Sequence, residues 1–525
     1  MYQQRLKYAN MKNKIASIAV ALTFCLPTMA QSNATTEAAY RHNDLVQIWR
    51  NTGFAAGLTL DSMRNRGFTS MGYSLQQGDY HRVQEGSAQR SINFYTERYQ
   101  RIGKWLYGYG SVNFDTGNER ERAWSDVYRT YNSNPYLSGS AVPGRYDFQN
   151  INLRAMLSTL ALGHLRYGLA FEYGLGDLSR QRDPRSRSQL LDYSLTPSVA
   201  YTFGRNTLAA ALTYHRRKEK IPNVSTVQTD ATLQYFTLTG MEHAIGTQGG
   251  YNGYLRQWVN HELGAQLAYA YRSTAMHSLT ALGMARATEY VYGNIKFQPG
   301  RYYTFRYWLN AQNRIYAGRT VHSIDASAQY VQAYADEFRQ QLSIEKDPST
   351  GIASSHYNTI LTYKKRYQVN MLNLAAHYRA NFTDGRGRML YYWGAEASMQ
   401  NVRNRHIVPF SQLRYRSADV KLEAGRALLP NKRLWVDAYW GAHFSRLADL
   451  VLANADAPYA QQVLLPDMDY YRANAYRGGV SLKYTFPLTI KKTRATWFVR
   501  GFYDHWQTNN QLHRNVFGLS VGLFN

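Results

Sequence analysis

Cysteine is nearly absent. Cys25 is the only one in 525 residues, and it sits in an apolar stretch near the N-terminus. Beyond it the chain can form no disulfide, no thiolate metal site and no cysteine nucleophile. Phe24 precedes it where a lipoprotein acceptor needs a small residue, which excludes lipid attachment there. Long apolar runs are missing as well. After the first thirty residues no run of about 18 apolar residues occurs, which excludes a helical membrane protein. Acidic residues are scarce: 35 Asp and Glu stand against 61 Lys and Arg, for a net charge of +26.

Chemical motifs are also lacking. No His-x-x-x-His helix, glycine-rich phosphate loop or calcium-loop spacing stands out. His261-Glu262 and Asn404-Arg405-His406 lack ligand spacing, and Asp467 with Asp469 reads as a solvated loop. His443, His505, Asp437 and Asp504 fall on late strands, where nucleophile and base would have to come from different strands. The sequence therefore predicts no enzyme, with no catalytic residue, metal or cofactor.

The N-terminus has the layout of an export signal. Met11-Lys12-Asn13-Lys14 reads as a start with a basic leader, Ile15 to Leu26 is apolar, and Thr28 and Ala30 are small. This predicts a signal peptide over 1–30 with its true start at Met11, and Sec-dependent export to the cell outer membrane. Those residues hold four positive charges and no acid, so the exported chain keeps +22. Such a surplus suits nucleic acid in a cytosolic protein. Export redirects it to lipopolysaccharide or to an anionic solute.

Strand periodicity fills the remainder. Leu169, Phe171 and Tyr173 alternate with Ala170, Glu172 and Gly174, and Leu263 to Tyr271 alternate in the same way. Successive side chains on a strand face opposite ways, so each segment has one apolar and one polar face. The 45 tyrosines suit a surface half apolar and half wet. Connectors switch between short, such as Gly204-Arg205-Asn206, and long, such as Arg216 to His261. These features predict an all-β fold: a transmembrane antiparallel β-barrel of 16–18 strands, with short periplasmic turns and long extracellular loops. The barrel spans 67–525 and follows an N-terminal periplasmic or lumen segment, 31–66. Within that segment Glu37 to Arg50 reads as a helix, with Leu45, Ile48 and Trp49 on one face. Gly53 to Leu60 reads as plug or wall, and Tyr363 to Phe382 as a protruding hairpin arm. The final alternation, ending Phe524-Asn525, resembles a recognition signal for the barrel-assembly machinery.

Strand alternation places Arg154, Glu172, Asp419, Lys421, Glu423, Asp437, Lys483 and Arg500 on inward faces. Either they line an aqueous pore with a transverse field, or they fill the lumen as ion pairs. Basic residues on a lipid face at the bilayer midplane cost about 2–4 kcal/mol each, so the surplus charge belongs in turns and loops. Lys491, Lys492 and Arg494 fall in a short turn. Arg216, Arg217, Lys218 and Lys220 begin the longest loop, at the height of lipopolysaccharide phosphates, and are predicted to bind them.

Tyr131-Asn132-Ser133-Asn134-Pro135-Tyr136 and Gly144-Arg145-Tyr146-Asp147-Phe148-Gln149, with the Tyr- and Arg-rich strands, resemble an uncharacterised outer-membrane barrel family of Bacteroidota. The resemblance implies a barrel without an assigned substrate. Barely forty residues of the exported chain precede the first secure strand, too few for the globular plug of a TonB-dependent transporter. Asn51-Thr52-Gly53-Phe54-Ala55 sits where fatty-acid-transporter barrels carry an Asn-Pro-Ala hatch motif, but lacks its proline. Two functions follow: a channel or transporter for a small hydrophilic or anionic solute, or a non-conducting barrel that partners another outer-membrane complex.

Overall fold

We describe the protein from a computed structural model covering residues 36–524, apart from positions 62, 64, 228–232, 249–253, 430 and 491–492. The expected signal peptide and the Lys491-Lys492 turn lie outside the described residues.

Among the described residues, eighteen long antiparallel strands close into one barrel. They are β1 (Arg66–Gly78), β2 (Ala88–Ile102), β3 (Leu106–Arg122), β4 (Gly144–Thr159), β5 (Leu165–Arg180) and β6 (Arg185–Phe203). Then come β7 (Asn206–Ile221), β8 (Arg256–Arg272), β9 (Met276–Tyr292), β10 (Gly300–Ala317), β11 (Thr320–Lys346) and β12 (Ala353–Thr383). The last six are β13 (Met389–His406), β14 (Ser411–Leu428), β15 (Leu434–Val451), β16 (Ala475–Ile490), β17 (Thr493–Thr508) and β18 (His513–Phe524). Each strand pairs with the next, and β18 returns to β1 from Phe68↔Phe524 to Gly78↔Arg514. The upper value of the expected strand number is therefore the one found. Closure leaves no free sheet edge, which a barrel needs in lipid because unpaired backbone groups cannot be hydrated there.

The alternation seen in the sequence sorts side chains between two environments. Leu169, Leu212, Leu263, Leu267, Leu282, Leu309, Trp440 and Leu519 are exposed on the outer face. Tyr167, Tyr201, Phe203, Tyr269, Tyr391 and Trp393 are exposed beside the short turns, where an aromatic girdle belongs. This is the build of a transmembrane barrel. The short turns, 103–105, 204–205, 318–319 and 384–388 among them, share one end; the loops 123–143, 222–255 and 452–474 share the other.

The long-loop end is capped. A three-stranded sheet (Ser138–Gly139, Gln234–Gly240 and His243–Gln248) joins a short helix, α2 (Asp467–Arg472), over the barrel mouth. Trp124 is the centre of this cap, with its ring 4.4 Å from Phe236 and 5.2 Å from Tyr459. Asp126 accepts hydrogen bonds from the hydroxyls of Tyr146 and Tyr235, at 2.6 and 2.8 Å.

The arm differs from expectation. Residues 367–383 of β12 pair on both sides within the wall; the projecting ribbon is 338–362, where only β11 and β12 pair with each other. The sequence places the strand but not the level at which its outer neighbours stop.

Candidate functional site

Residues 36–61 lie inside the barrel toward the short-turn end. Helix α1 (Glu37–Val46) precedes α2 in the chain and starts at Thr36, whose hydroxyl accepts from Ala39 N at 3.3 Å. It stops short of the predicted Arg50 for a local reason. The carboxylate of Asp61 takes the amides of Ile48 and Trp49, at 3.2 and 3.1 Å, and turns the chain. A 3-10 turn, Ala55–Leu60, then packs against β4, β5 and β6. Trp49, Phe54 and Leu58 are buried there. Two glycines allow this fit. A Cβ on Gly168 would meet Ala56 N at 2.0 Å, and one on Gly57 would meet the Trp49 ring at 2.1 Å.

Charge fixes the helix to the wall. Arg41 grips Asp437 through two hydrogen bonds of 2.8 Å and also pairs with Glu37 at 2.7 Å. Lys483 reaches Glu37 at 3.0 Å, and the Tyr40 hydroxyl donates to Glu97 at 2.6 Å. Burial pushes Asp61 up to about 7, against the pull of its backbone donors.

The eight inward charges named from the sequence do not form one site. Asp437 and Lys483 hold α1. Arg154 pairs with Glu172 at 3.1 Å and donates to the carbonyl of Thr52 in the inserted segment. Lys421 bridges Glu396 and Glu423 at 2.5 and 3.5 Å, and Glu423 also accepts from His377 and Arg379. Asp419 accepts from His443 Nδ1 at 3.1 Å, and Arg500 donates to the Ser481 hydroxyl at 2.8 Å. Of the late-strand candidates for chemistry, Asp504 bonds Tyr439 and His505 bonds Asn515, so the two histidines have separate partners. Asp467 is buried and binds Val83 N at 2.8 Å, so the expected solvated loop is corrected there.

The basic cluster at 216–220 is corrected too. Strand β7 runs on to Ile221, so these residues belong to the wall and not to a loop. Alternation then splits them. Arg216, Lys218 and Lys220 share a face with the exposed Leu212 and Tyr214; Arg217 points the other way, buried beside Glu219 at 2.7 Å.

Between the cap and the inserted segment lies a chamber. Three cavities of about 720, 690 and 500 Å³ lie side by side and share lining: Arg306 belongs to the first and second, Trp308 and Asn310 to the first and third. The described lining carries three arginines, Arg154, Arg306 and Arg314. Against them stand seven carboxylates, including Asp115, Asp192, Glu262 and Asp419. Sequence reasoning missed most of this lining. Asn113, Asn152, Gln329, Asn373 and Gln400 are uncharged and scattered through the chain, and only register brings them together.

A family model described as a family of unknown function (DUF6850) matches residues 55–525. The chain belongs to that family. The match begins on the 3-10 turn seated in the lumen and runs to the end of the barrel. No curated protein matches the chain. Among solved structures, the FrpB iron transporter of Neisseria meningitidis is 9% identical, with a TM-score of 0.41 over 90% of this chain and 83% of that one. The ferric yersiniabactin uptake receptor FyuA of Yersinia pestis is 9% identical, with a TM-score of 0.39 over 88% and 80%. The outer membrane protein OpdK of Pseudomonas aeruginosa is 8% identical, with a TM-score of 0.33 over 88% and 99%. Likeness at this level says nothing of cargo.

Proposed function

We propose that this protein is an outer-membrane channel or transporter for a small hydrophilic solute, shut in the conformation described. The observation that carries the reading is the chamber itself: polar, made of adjoining cavities, and stoppered by residues 36–61 below and the loop cap above. A barrel of eighteen strands encloses a lumen unless something fills it, and the described residues fill it at its two ends. The lining favours a neutral or cationic solute over an anionic one, because carboxylates outnumber arginines. In this reading the short turns are periplasmic and displacement of the inserted segment opens the lumen.

Liposome swelling tests it. Vesicles holding the wild-type chain should swell slowly in L-arabinose. Vesicles holding Gly168→Leu, whose side chain collides with the Ala55–Ala56 backbone, should swell several-fold faster. If the segment is shown to leave and swelling does not change, the lumen does not conduct.

The ribbon 338–362 favours a second reading. Leu342, Ile344, Ile352 and Ile360 are exposed on a projection beyond the wall, as a barrel that docks another outer-membrane component would present. Silence in the swelling assay together with a co-purifying partner would support it. Lipopolysaccharide remains the proposed partner of the outer-face cations Arg216, Lys218 and Lys220, and the barrel-assembly machinery that of β18.

A further inference from the structure

One row of the barrel wall is unlike its neighbours. Reading across the sheet, Gly283 on β9 stands opposite Trp308 on β10, Trp308 opposite Gln329, Gln329 opposite Asn373, Asn373 opposite Gln400, and Gln400 opposite Ser417. Six strands thus contribute a glycine, one aromatic, three amides and a hydroxyl at one level, with no charge among them. The residues on either side of Trp308, Tyr307 and Leu309, are exposed on the outer surface, so this row faces the chamber. All of its members except Gly283 line the cavity of about 720 Å³.

The geometry is that of a prepared surface. A Cβ on Gly283 would lie 2.3 Å from the Trp308 ring, so the indole lies across the bare backbone of that residue. Trp308 is only half-buried, and it borders two of the three cavities. The guanidinium of Arg306 stands 5.1 Å from the ring centroid, bound to Glu262. The amides are linked in series: Asn373 Nδ2 donates to Gln329 Oε1 at 3.4 Å, and Gln400 Nε2 to Asn373 Oδ1 at 3.1 Å. Each keeps unused donor and acceptor capacity, since an amide has two N–H groups and two lone pairs.

From this row we infer that the chamber binds a neutral saccharide; the inference rests on the solute-conducting reading above. A sugar hydroxyl both donates and accepts, as an amide does, and a pyranose ring has a C–H face that packs on an indole. A phosphate or carboxylate would find no cation in the row, and Arg306 beside it is already paired with Glu262. A purely apolar ligand would strand the amides' remaining donors and acceptors without partners. The cavity of about 720 Å³ falls within the roughly 300–1,000 Å³ of small-ligand sites.

The test is equilibrium dialysis of the full chain in detergent against maltotriose, cellotriose, trialanine and inorganic phosphate. Saturable binding of at least one trisaccharide is expected, at least tenfold weaker in Trp308→Ala and in Asn373→Leu/Gln400→Leu, with Trp308→Phe between. Heat-modifiability on gels shows whether each variant is folded, and Gln329→Leu serves if either fails. Binding of trialanine or phosphate in preference to both sugars overturns the saccharide assignment. So does absence of sugar binding, or sugar binding that every folded variant retains. The swelling assay on Gly168→Leu is independent. Swelling without sugar binding sinks the saccharide class and leaves the channel, whereas sugar binding without swelling sinks the channel and leaves the site.

Discussion

Single residues decide whether the N-terminal segment stays in the lumen. Trp49, Phe54 and Leu58 are buried against the wall, and each contributes roughly 1.5–3 kcal/mol by leaving water. Truncating a packed tryptophan costs about 3–5 kcal/mol, a large fraction of what can hold so short a segment. Trp49→Ala should therefore loosen it by loss of contact, and Gly168→Leu by pushing the Ala55–Ala56 backbone off the wall. Both variants should open Arg41 and Arg50 to trypsin while the barrel stays heat-modifiable. Resistance equal to wild type in both would show that the ion pairs of Glu37, Arg41, Asp437 and Lys483 suffice alone. None of these pairings is legible in the sequence. The presence of a helix is, from the spacing of Leu45, Ile48 and Trp49, although Ile48 and Trp49 lie beyond its last turn. Its end is not, because Asp61 acts from twelve residues away.

At the scale of elements, strand β7 shows how far periodicity reaches. Its alternation is plain up to Tyr214, after which four basic residues in five look like the start of a loop. The strand continues because Glu219, Asp192 and Glu262 supply inward partners for Arg217 and His215, which only the fold reveals. The two faces should then respond differently. Changing Arg216, Lys218 and Lys220 together to Gln should reduce the lipopolysaccharide that co-purifies, measured by phosphate content, and leave folding intact. Arg217→Gln should leave lipopolysaccharide unchanged but destabilise the barrel, since removing one partner of a buried ion pair costs about 3–5 kcal/mol. The reverse pattern would mean that the strand register is wrong.

The cap carries a pH dependence of its own. Burial pushes Asp467, at the start of α2, from 3.8 up to about 7, despite its hydrogen bond from Val83 and the nearby Arg82 cation. For an acid raised in this way the protonated form suits the folded cap. Its contribution is full below pH 3.8, falls as pH rises, and is lost above about 7. Hydrogen exchange across 460–472, corrected for intrinsic rates, should quicken between pH 5 and pH 8. Asp467→Asn should remove that dependence, and a dependence that survives the substitution would assign it to another group.

For the molecule as a whole, the sign of its charge and the sign of its interior diverge. The chain carries +26, yet the described lining of the chamber holds seven carboxylates and three arginines. Composition alone leads to an anionic solute, because it sums charges over faces that water, lipid and lumen see separately. Sorting by face needs strand register, and register needs the closed barrel. A low-dielectric wall focuses the field of the groups that line it, so local charge and not net charge sets which ions enter. With the inserted segment displaced, the lumen should therefore select cations. In planar bilayers with a KCl gradient, Gly168→Leu should reverse at a potential of cation-selective sign. Neutralising Asp192 and Glu262 to Asn and Gln should shift that potential toward zero. An anion-selective reversal would place the conducting path elsewhere than through this chamber.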